Sequence, residues 1–172
     1  MPDSIPNPEN FNVQVRFLEY KDIEFLPILL LQTSIDVETE RQSPGMFQYL
    51  LHEVLMSLQN RNNDKYLVAE VNGELAGIIG LRPASQKVKD YAETLNPCEM
   101  IVPMVLDNYK DIHMLFITKI IELAKKNNYT EILLNLSDFC TKTAYKIMDI
   151  ETGNDEYFSK IDGSLLFWRW IL

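Results

Sequence analysis

Cysteine and long apolar runs are scarce in this sequence, and each shortage argues against a class of protein. The two cysteines, Cys98 and Cys140, form no CxxC pair, and no cluster of histidines or cysteines accompanies them. A reduced, cytoplasmic setting is therefore expected, and no metal site is predicted. The longest apolar run, around residues 28–31, is far too short to span a bilayer, so no association with membranes is expected.

Basic residues are also in the minority. Lysine and arginine number 16 against 25 aspartates and glutamates, which gives a formal net charge of −9. Because duplex nucleic acid repels an acidic surface and the sequence holds no local basic patch, a nucleic-acid partner is not expected. The negative charge suits a cationic substrate such as an amine, and it also has a simpler explanation in solubility alone.

The length and composition predict one soluble globular domain. The chain has 172 residues, of which 47% are hydrophobic and 24% are charged, enough to bury one core. Residues 1–12 (MPDSIPNPENFN) lack the basic flank and the apolar core of a signal peptide, and their prolines and asparagines predict a flexible leader. Residues 13–172 are predicted to form the domain, without an internal repeat or a low-complexity tract.

Apolar periodicity divides this domain into strands and helices. The clearest signal is YLVAEVNGELAGIIGL, in which two strand-like runs flank Asn72 and Gly73, the preferred pair for a tight hairpin turn. Asp22 is a candidate N-cap of the first helix. Strands are predicted at 13–18, on both sides of the Asn-Gly pair, and at 99–106, 131–136, 157–160 and 165–172, and helices at 22–32, from Pro44 onward, at 111–127 and at 138–150. Hairpins alternating with helical connections indicate a mixed sheet with helices on both faces.

Local motifs along this order agree with one known family. Arg16 is followed six residues later by Asp22, VAEVNGELAGIIG occupies residues 68–80, and Ala124 near the end of the third helix precedes a short turn and a strand. These features resemble the GCN5-related N-acetyltransferases (GNAT) over essentially the whole domain. The resemblance implies an α/β fold with a mixed, largely antiparallel central sheet of about seven strands, covered by helices on both faces.

The resemblance also implies a site for acetyl-coenzyme A as co-substrate. In the family, main-chain N–H groups of the loop before the third helix bind the diphosphate, and small residues let it approach. Asp111 and His113 stand where the family has small residues, and the Asp111 carboxylate competes with a phosphate at the helix N-terminus, which Lys110 partly offsets. Alternatively, Asp111 is simply an N-cap and His113 a surface residue. The implied coenzyme-binding residues are Val102 and Met104 on the fourth strand and Asn108, Tyr109, Lys110, Asp111, Ile112 and His113 in the loop.

Two catalytic residues follow from the same resemblance. Glu99 on the fourth strand would accept a proton from the substrate amine, although a strand-end surface glutamate is an equal alternative. Tyr145 would protonate the leaving thiolate, or else belong to the core or its rim. Pro103 lacks a ladder N–H and predicts either the bulge that separates the fourth and fifth strands in the family or an irregular edge position.

Three functions remain open at this point. One is an acyltransferase that moves an acyl group, most simply acetyl, from coenzyme A to the amine of a small molecule or a protein. The second is a GNAT-like domain that has lost catalysis and serves as a binding or regulatory module, which the missing glycines favour. The third is a GNAT-like half that needs a partner chain to complete its site. The apolar C-terminal strand is a candidate edge for pairing with a second copy in a homodimer.

Overall fold

A mixed β-sheet forms the centre of the protein and separates two groups of helices. The computed structural model describes residues 12–33, 46–106, 109, 112–135, 159–160 and 167–172. Within these residues the strands are β1 (Val13–Phe17), β2 (Lys65–Val71), β3 (Glu74–Pro83), β4 (Pro97–Val105), β5 (Glu131–Asn135), β6 (Ser159–Lys160) and β7 (Phe167–Ile171). The helices are a 3₁₀ segment (Tyr20–Phe25), α1 (Leu26–Thr33), α2 (Met46–Leu58), α3 (Gln86–Lys89) and α4 (Ile112–Lys126).

The sheet confirms the predicted fold class. In the described residues its seven strands lie in the order β1-β2-β3-β4-β5-β7-β6. The pair β4–β5 is parallel, and the other five pairs are antiparallel. The helix α4 connects the two parallel strands, as a parallel connection requires. The helix predicted at 138–150, with Cys140 and Tyr145, lies outside the described residues.

The hairpin between β2 and β3 is confirmed at the predicted turn. Val71 pairs with Glu74, so Asn72 and Gly73 alone form the connection. Both have positive φ, 52° and 85°, the left-handed backbone that asparagine and glycine tolerate best. The turn sets the register of the two pairs beside it, and an irregularity between Ala69 and Glu70 shifts the register of the rest of β2 against β3 by one residue.

The first helix begins later than predicted, and the proposed N-cap is wrong. Asp22 lies within the 3₁₀ segment, whose N-cap is Glu19, and the Glu19 main-chain N–H donates to Asp22 Oδ2 at 2.8 Å. Asp22 is 3% exposed, and Arg16 donates to both its carboxylate oxygens at 2.8 Å. Arg16 also donates to Glu70 on β2. The aspartate therefore joins the 3₁₀ segment to the first two strands, and the Arg16 guanidinium helps to hold the Asp22 pKa below its usual range against the opposing effect of burial.

Alternation along the strands divides the core between the two faces of the sheet. On β2, Leu67 and Ala69 pack toward α4, whereas Tyr66 and Val68 pack toward α1 and α2. The predicted connection over residues 82–97 is more ordered than expected, since β3 runs to Pro83 and α3 follows at once. Glu131 ties this connection to β5, because its buried carboxylate accepts the main-chain N–H groups of Glu93 and Thr94 at 2.8 and 3.1 Å.

Candidate active site

A bulge in β4 sets the geometry of the candidate site. On β3, Ile78 pairs with Met104 and Gly80 with Ile101, so a two-residue step on β3 faces a three-residue step on β4. Ile101 and Met104 consequently both face the α1 and α2 side, although side chains three residues apart in a regular strand point to opposite faces. The extra residue falls within 102–103, and the irregularity predicted from Pro103 is confirmed.

In the described residues, the pairing of β4 with β5 ends before the bulge. Their parallel ladder runs from Pro97 opposite Glu131 to Met100 opposite Leu134. The strand β4 continues to Val105, but residues 101–104 have no β5 partner in the part of the chain that the structure describes. Within the described residues, the main-chain groups of residues 101–104 on this edge of β4 are therefore the ones that a bound extended molecule can pair with.

The loop after β4 has two of its main-chain donors engaged. The Tyr109 N–H donates to Leu106 O at 3.0 Å, and the Ile112 N–H donates to Tyr109 O at 3.1 Å. The Ile112 side chain is 3% exposed and packs in the core beneath α4, with Tyr109 against the same cluster. His113 lies in the first turn of α4. Of the other predicted loop residues, Asn108, Lys110 and Asp111 lie outside the described residues.

Glu99 is a buried and fully bonded carboxylate, so the alternative of a surface glutamate is wrong. The side chain is 2% exposed and sits directly opposite Arg82 in the β3–β4 register. Arg82 Nε and Nη2 donate to Oε2 at 3.0 and 2.9 Å. The Ser85 N–H donates to Oε1 at 2.8 Å, and the Ser85 hydroxyl donates to the same oxygen. Four donors hold this carboxylate in one orientation on the sheet face that carries α1 and α2.

These contacts restrict how Glu99 can take part in proton transfer. Arg82 and the Ser85 N–H enclose the carboxylate, and Arg82 also donates to the Tyr49 hydroxyl on α2 at 3.4 Å. Ser85 is half-buried, whereas Glu99 is buried. Its hydroxyl is therefore the bonded group through which a proton can reach Oε1 without displacing the Arg82 hydrogen bonds to Oε2. Sequence reasoning missed both partners, because neither is near Glu99 in the chain.

Cys98, the cysteine among the described residues, has a structural role. Burial raises the pKa of the Cys98 thiol to about 12, and the thiol donates to the Glu131 main-chain oxygen at 3.3 Å. No group of histidine, cysteine, aspartate or glutamate in the described ranges is arranged to hold a metal ion. Among the described helices, none is both long and apolar enough to cross a membrane.

The arrangement of strands and helices is similar to that of several solved acetyltransferases. PaiA N-acetyltransferase from Thermoplasma acidophilum, in complex with coenzyme A, superposes with a TM-score of 0.65 at 16% identity, over 93% of this chain and 99% of that one. A GNAT-family acetyltransferase from Staphylococcus aureus Mu50 gives 0.61 at 15% identity, over 93% and 99%. Campylobacter jejuni N-acetyltransferase PseH, in complex with acetyl coenzyme A, gives 0.52 at 13% identity, over 93% and 97%. No family model and no curated protein matches the sequence. The chain therefore has the GNAT fold, over nearly its full length.

Proposed function

We propose that the protein is an acyl-CoA-dependent N-acyltransferase that uses acetyl-CoA to acetylate an amine. The observation that carries this proposal is the bulge in β4, where residues 101–104 have no β5 partner among the described residues. The fold adds support, since two of the similar structures hold coenzyme A or acetyl coenzyme A. The acceptor would be a small molecule or a protein amine, the setting cytoplasmic, and the oligomer a homodimer.

Two parts of the coenzyme would bind at two places. The arm would bind along β4, and the diphosphate would bind in the loop that follows it. Main-chain groups at Val102 and Met104 would pair with the coenzyme arm, and one of their N–H groups would polarise the thioester carbonyl. In the loop, the Tyr109 and Ile112 amides are engaged within the protein. The diphosphate would be received by main-chain N–H groups of Lys110, Asp111 and His113. The Lys110 charge would favour this contact, and the Asp111 carboxylate would oppose it.

The proposed chemistry needs one proton acceptor and one proton donor. Acetyl-CoA, when bound, supplies the acetyl group as an activated thioester. An ammonium substrate would lose its proton to the Ser85 hydroxyl while Ser85 passes its own proton to Glu99 Oε1. The Glu99 charge is then neutralised, and the Arg82 hydrogen bonds to Oε2 are kept. The uncharged amine nitrogen then forms the amide bond as the carbon–sulfur bond breaks. Tyr145 would protonate the departing thiolate.

A specific observation also supports a second candidate function. Two loop amides are engaged within the protein, and all four hydrogen bonds to Glu99 come from its own neighbours. A domain that no longer binds the diphosphate, and needs no base, would have the same contacts. Such a chain would be a GNAT-like binding or regulatory module without catalysis.

Acetyl-CoA binding separates the two candidates. At a ligand concentration near 100 times Kd, an acyltransferase gains about 2.7 kcal/mol of stability. For a chain of this length the gain corresponds to a rise in melting temperature of roughly 5 to 10 °C. Differential scanning fluorimetry with acetyl-CoA measures it, and adenosine alone is the control for binding without the diphosphate. A melting temperature that stays constant at millimolar acetyl-CoA would leave the binding module as the remaining function.

Asp111→Gly tests the loop separately. Removing the carboxylate and its Cβ from the N-terminus of α4 is expected to tighten acetyl-CoA binding about threefold, because a like charge near the diphosphate is worth about 0.3–1 kcal/mol. Isothermal titration calorimetry gives the Kd. Glu122→Gln is the matched control, since it removes one negative charge from the exposed surface of the same helix. Equal affinity in the wild type, the variant and the control would place the diphosphate elsewhere.

A further inference from the structure

The strand β1 lies at one end of the sheet and is paired on one side only. Among the described residues its partner is β2, in an unbroken register of five residue pairs. The strand at the other end, β6, has two residues, one of which is Lys160. The C-terminal strand β7, which was predicted as an edge, is paired on both sides at Trp168 and Arg169. The longer open edge of the described sheet therefore belongs to β1.

Hydrogen bonds at the two ends of β1 show which of its main-chain groups face outward. The Asn72 N–H donates to Asn12 O at 3.0 Å, and the Leu18 N–H donates to Tyr66 O at 3.0 Å. Hydrogen-bonded and non-hydrogen-bonded pairs alternate along an antiparallel ladder. The even-numbered residues from 12 to 18 therefore bond to β2, and the odd-numbered residues between them turn their N–H and C=O groups to the outer side.

Three residues carry these outward groups, namely Val13, Val15 and Phe17. The Phe17 carbonyl accepts a hydrogen bond from Arg16 Nη1 at 3.0 Å, and the other outward groups have no hydrogen bond to the described residues. Open edges are usually protected by a bulge, a proline or a lysine. The sequence of β1, VQVRF, contains neither proline nor lysine, its charged residue is held in the ion pairs described above, and its register has no shift. The edge can therefore accept another strand.

The side chains of β1 suit a second copy of the same strand. Two β1 strands can pair antiparallel about a two-fold axis at Val15, which places Val13 of each copy opposite Phe17 of the other. Val13 and Phe17 are 37% and 54% exposed, and they share a face of the strand with Val15. An aromatic residue opposite a β-branched one is a favourable cross-strand pair. On the other face, Gln14 lies opposite Arg16.

Charge and length both favour this register over its neighbours. An axis at Arg16 would place the two arginines directly opposite each other, which is destabilising. An axis at Gln14 would place Phe17 opposite residue 11, outside β1. The axis at Val15 pairs all five residues of the strand and places no like charges directly opposite each other.

Exposed apolar side chains are concentrated near the same edge. Among the described residues, ten large apolar side chains are exposed, and five of them lie between residues 13 and 28. In addition to Val13 and Phe17, these are Tyr20, Phe25 and Ile28, in the 3₁₀ segment and the helix α1 that follow β1. Because pairing of two short strands buries little area by itself, these side chains would supply the further apolar contact that a stable dimer needs.

We propose that two copies of this chain associate through β1, in an antiparallel interface with a two-fold axis at Val15. The two sheets then form one continuous sheet. This interface gives the proposed homodimer its contact surface, and it does not depend on acetyl transfer. It lies away from the candidate active site, because β2 and β3 separate β1 from β4.

Two double variants test the interface and its register. Val13→Glu with Phe17→Glu places carboxylates opposite each other at both ends of the paired strands, and it is expected to raise the dimer Kd at least about tenfold. Val13→Lys with Phe17→Glu differs from it only at residue 13. In the proposed register each lysine faces a glutamate, so most of the lost affinity is expected to return. Both positions are exposed, so both variants are expected to fold, and circular dichroism checks this.

Sedimentation velocity of the full-length protein from about 1 to 200 μM measures these dimer constants. Leu95→Glu with Met114→Glu is the matched control, because it replaces two other exposed apolar side chains with carboxylates away from β1. Its Kd is expected to equal that of the wild type. Hydrogen exchange gives a readout without substitution, since the outward Val15 N–H is expected to exchange more slowly in the dimer than in the dilute monomer.

Three results would each overturn the proposal. They are a wild type that stays monomeric at about 200 μM, a glutamate–glutamate variant that dimerises as well as the wild type, and a lysine–glutamate variant that dimerises no better than the glutamate–glutamate one. Because the readout is association, any of these results leaves the proposed acetyl transfer untouched. A failure of acetyl-CoA binding likewise leaves this interface untouched.

Discussion

Replacing Arg82 with methionine is expected to destabilise the protein by about 3–5 kcal/mol, the cost of breaking a buried ion pair from one side. The Glu99 side chain is 2% exposed, and Arg82 provides two of its four hydrogen bonds and its only counter-charge within the described residues. Methionine preserves much of the aliphatic stem of arginine, so the loss of packing is small. What remains is a buried negative charge that Ser85 alone hydrogen-bonds.

Equilibrium unfolding in urea measures this cost, and two further variants isolate its origin. The double variant Arg82→Met with Glu99→Met removes the stranded charge together with its partner, and it is expected to recover most of the lost stability. Arg61→Met is the control for losing an arginine, because Arg61 is exposed and forms no ion pair in the described residues. If the double variant is as unstable as Arg82→Met alone, the pair is not the source of the effect.

The features of the fold that were predicted correctly are those encoded by neighbouring residues. Asn72 and Gly73 accept positive φ, so these two residues are enough to predict the β2–β3 hairpin. The helix α4 spans Ile112–Lys126 against a prediction of 111–127, because its apolar residues repeat at helical spacing over its whole length. Pro103 lacks an N–H, and that local property was enough to locate the irregularity in β4.

The features that were missed depend on residues that are distant in the chain. Asp22 looked like a helix cap because the sequence does not show that Arg16 reaches it from β1. Glu99 looked equally suited to the surface, since its contact with Arg82 exists only in the β3–β4 register, across the connection that contains α3. Such contacts follow from strand order and register, which the apolar pattern constrains only weakly.

The second large effect is expected at Gly77, where β3 passes close to β4 just after the bulge. A Cβ atom at this position would lie 2.8 Å from the Met104 main-chain oxygen and 2.8 Å from Phe116 Cε2 on α4. Side chains can rotate away from such contacts, but a carbonyl on a paired strand moves only with its strand. Gly77→Ala is therefore expected to cost about 1–3 kcal/mol of stability, despite the gain that alanine brings over glycine in a strand.

The same substitution links this packing to the proposed function. Pushing the Met104 carbonyl away from β3 displaces the segment of β4 that is proposed to bind acetyl-CoA, so Gly77→Ala is expected to weaken acetyl-CoA binding about tenfold or more. Urea unfolding and calorimetry measure the two effects. Glu74→Gln is the control, because it changes only an exposed side chain at the start of the same strand. If Gly77→Ala is as stable as the wild type, β4 can shift at the bulge and relieve the contact with the Met104 carbonyl. If the variant is less stable but binds acetyl-CoA with unchanged affinity, the coenzyme binds away from this segment of β4.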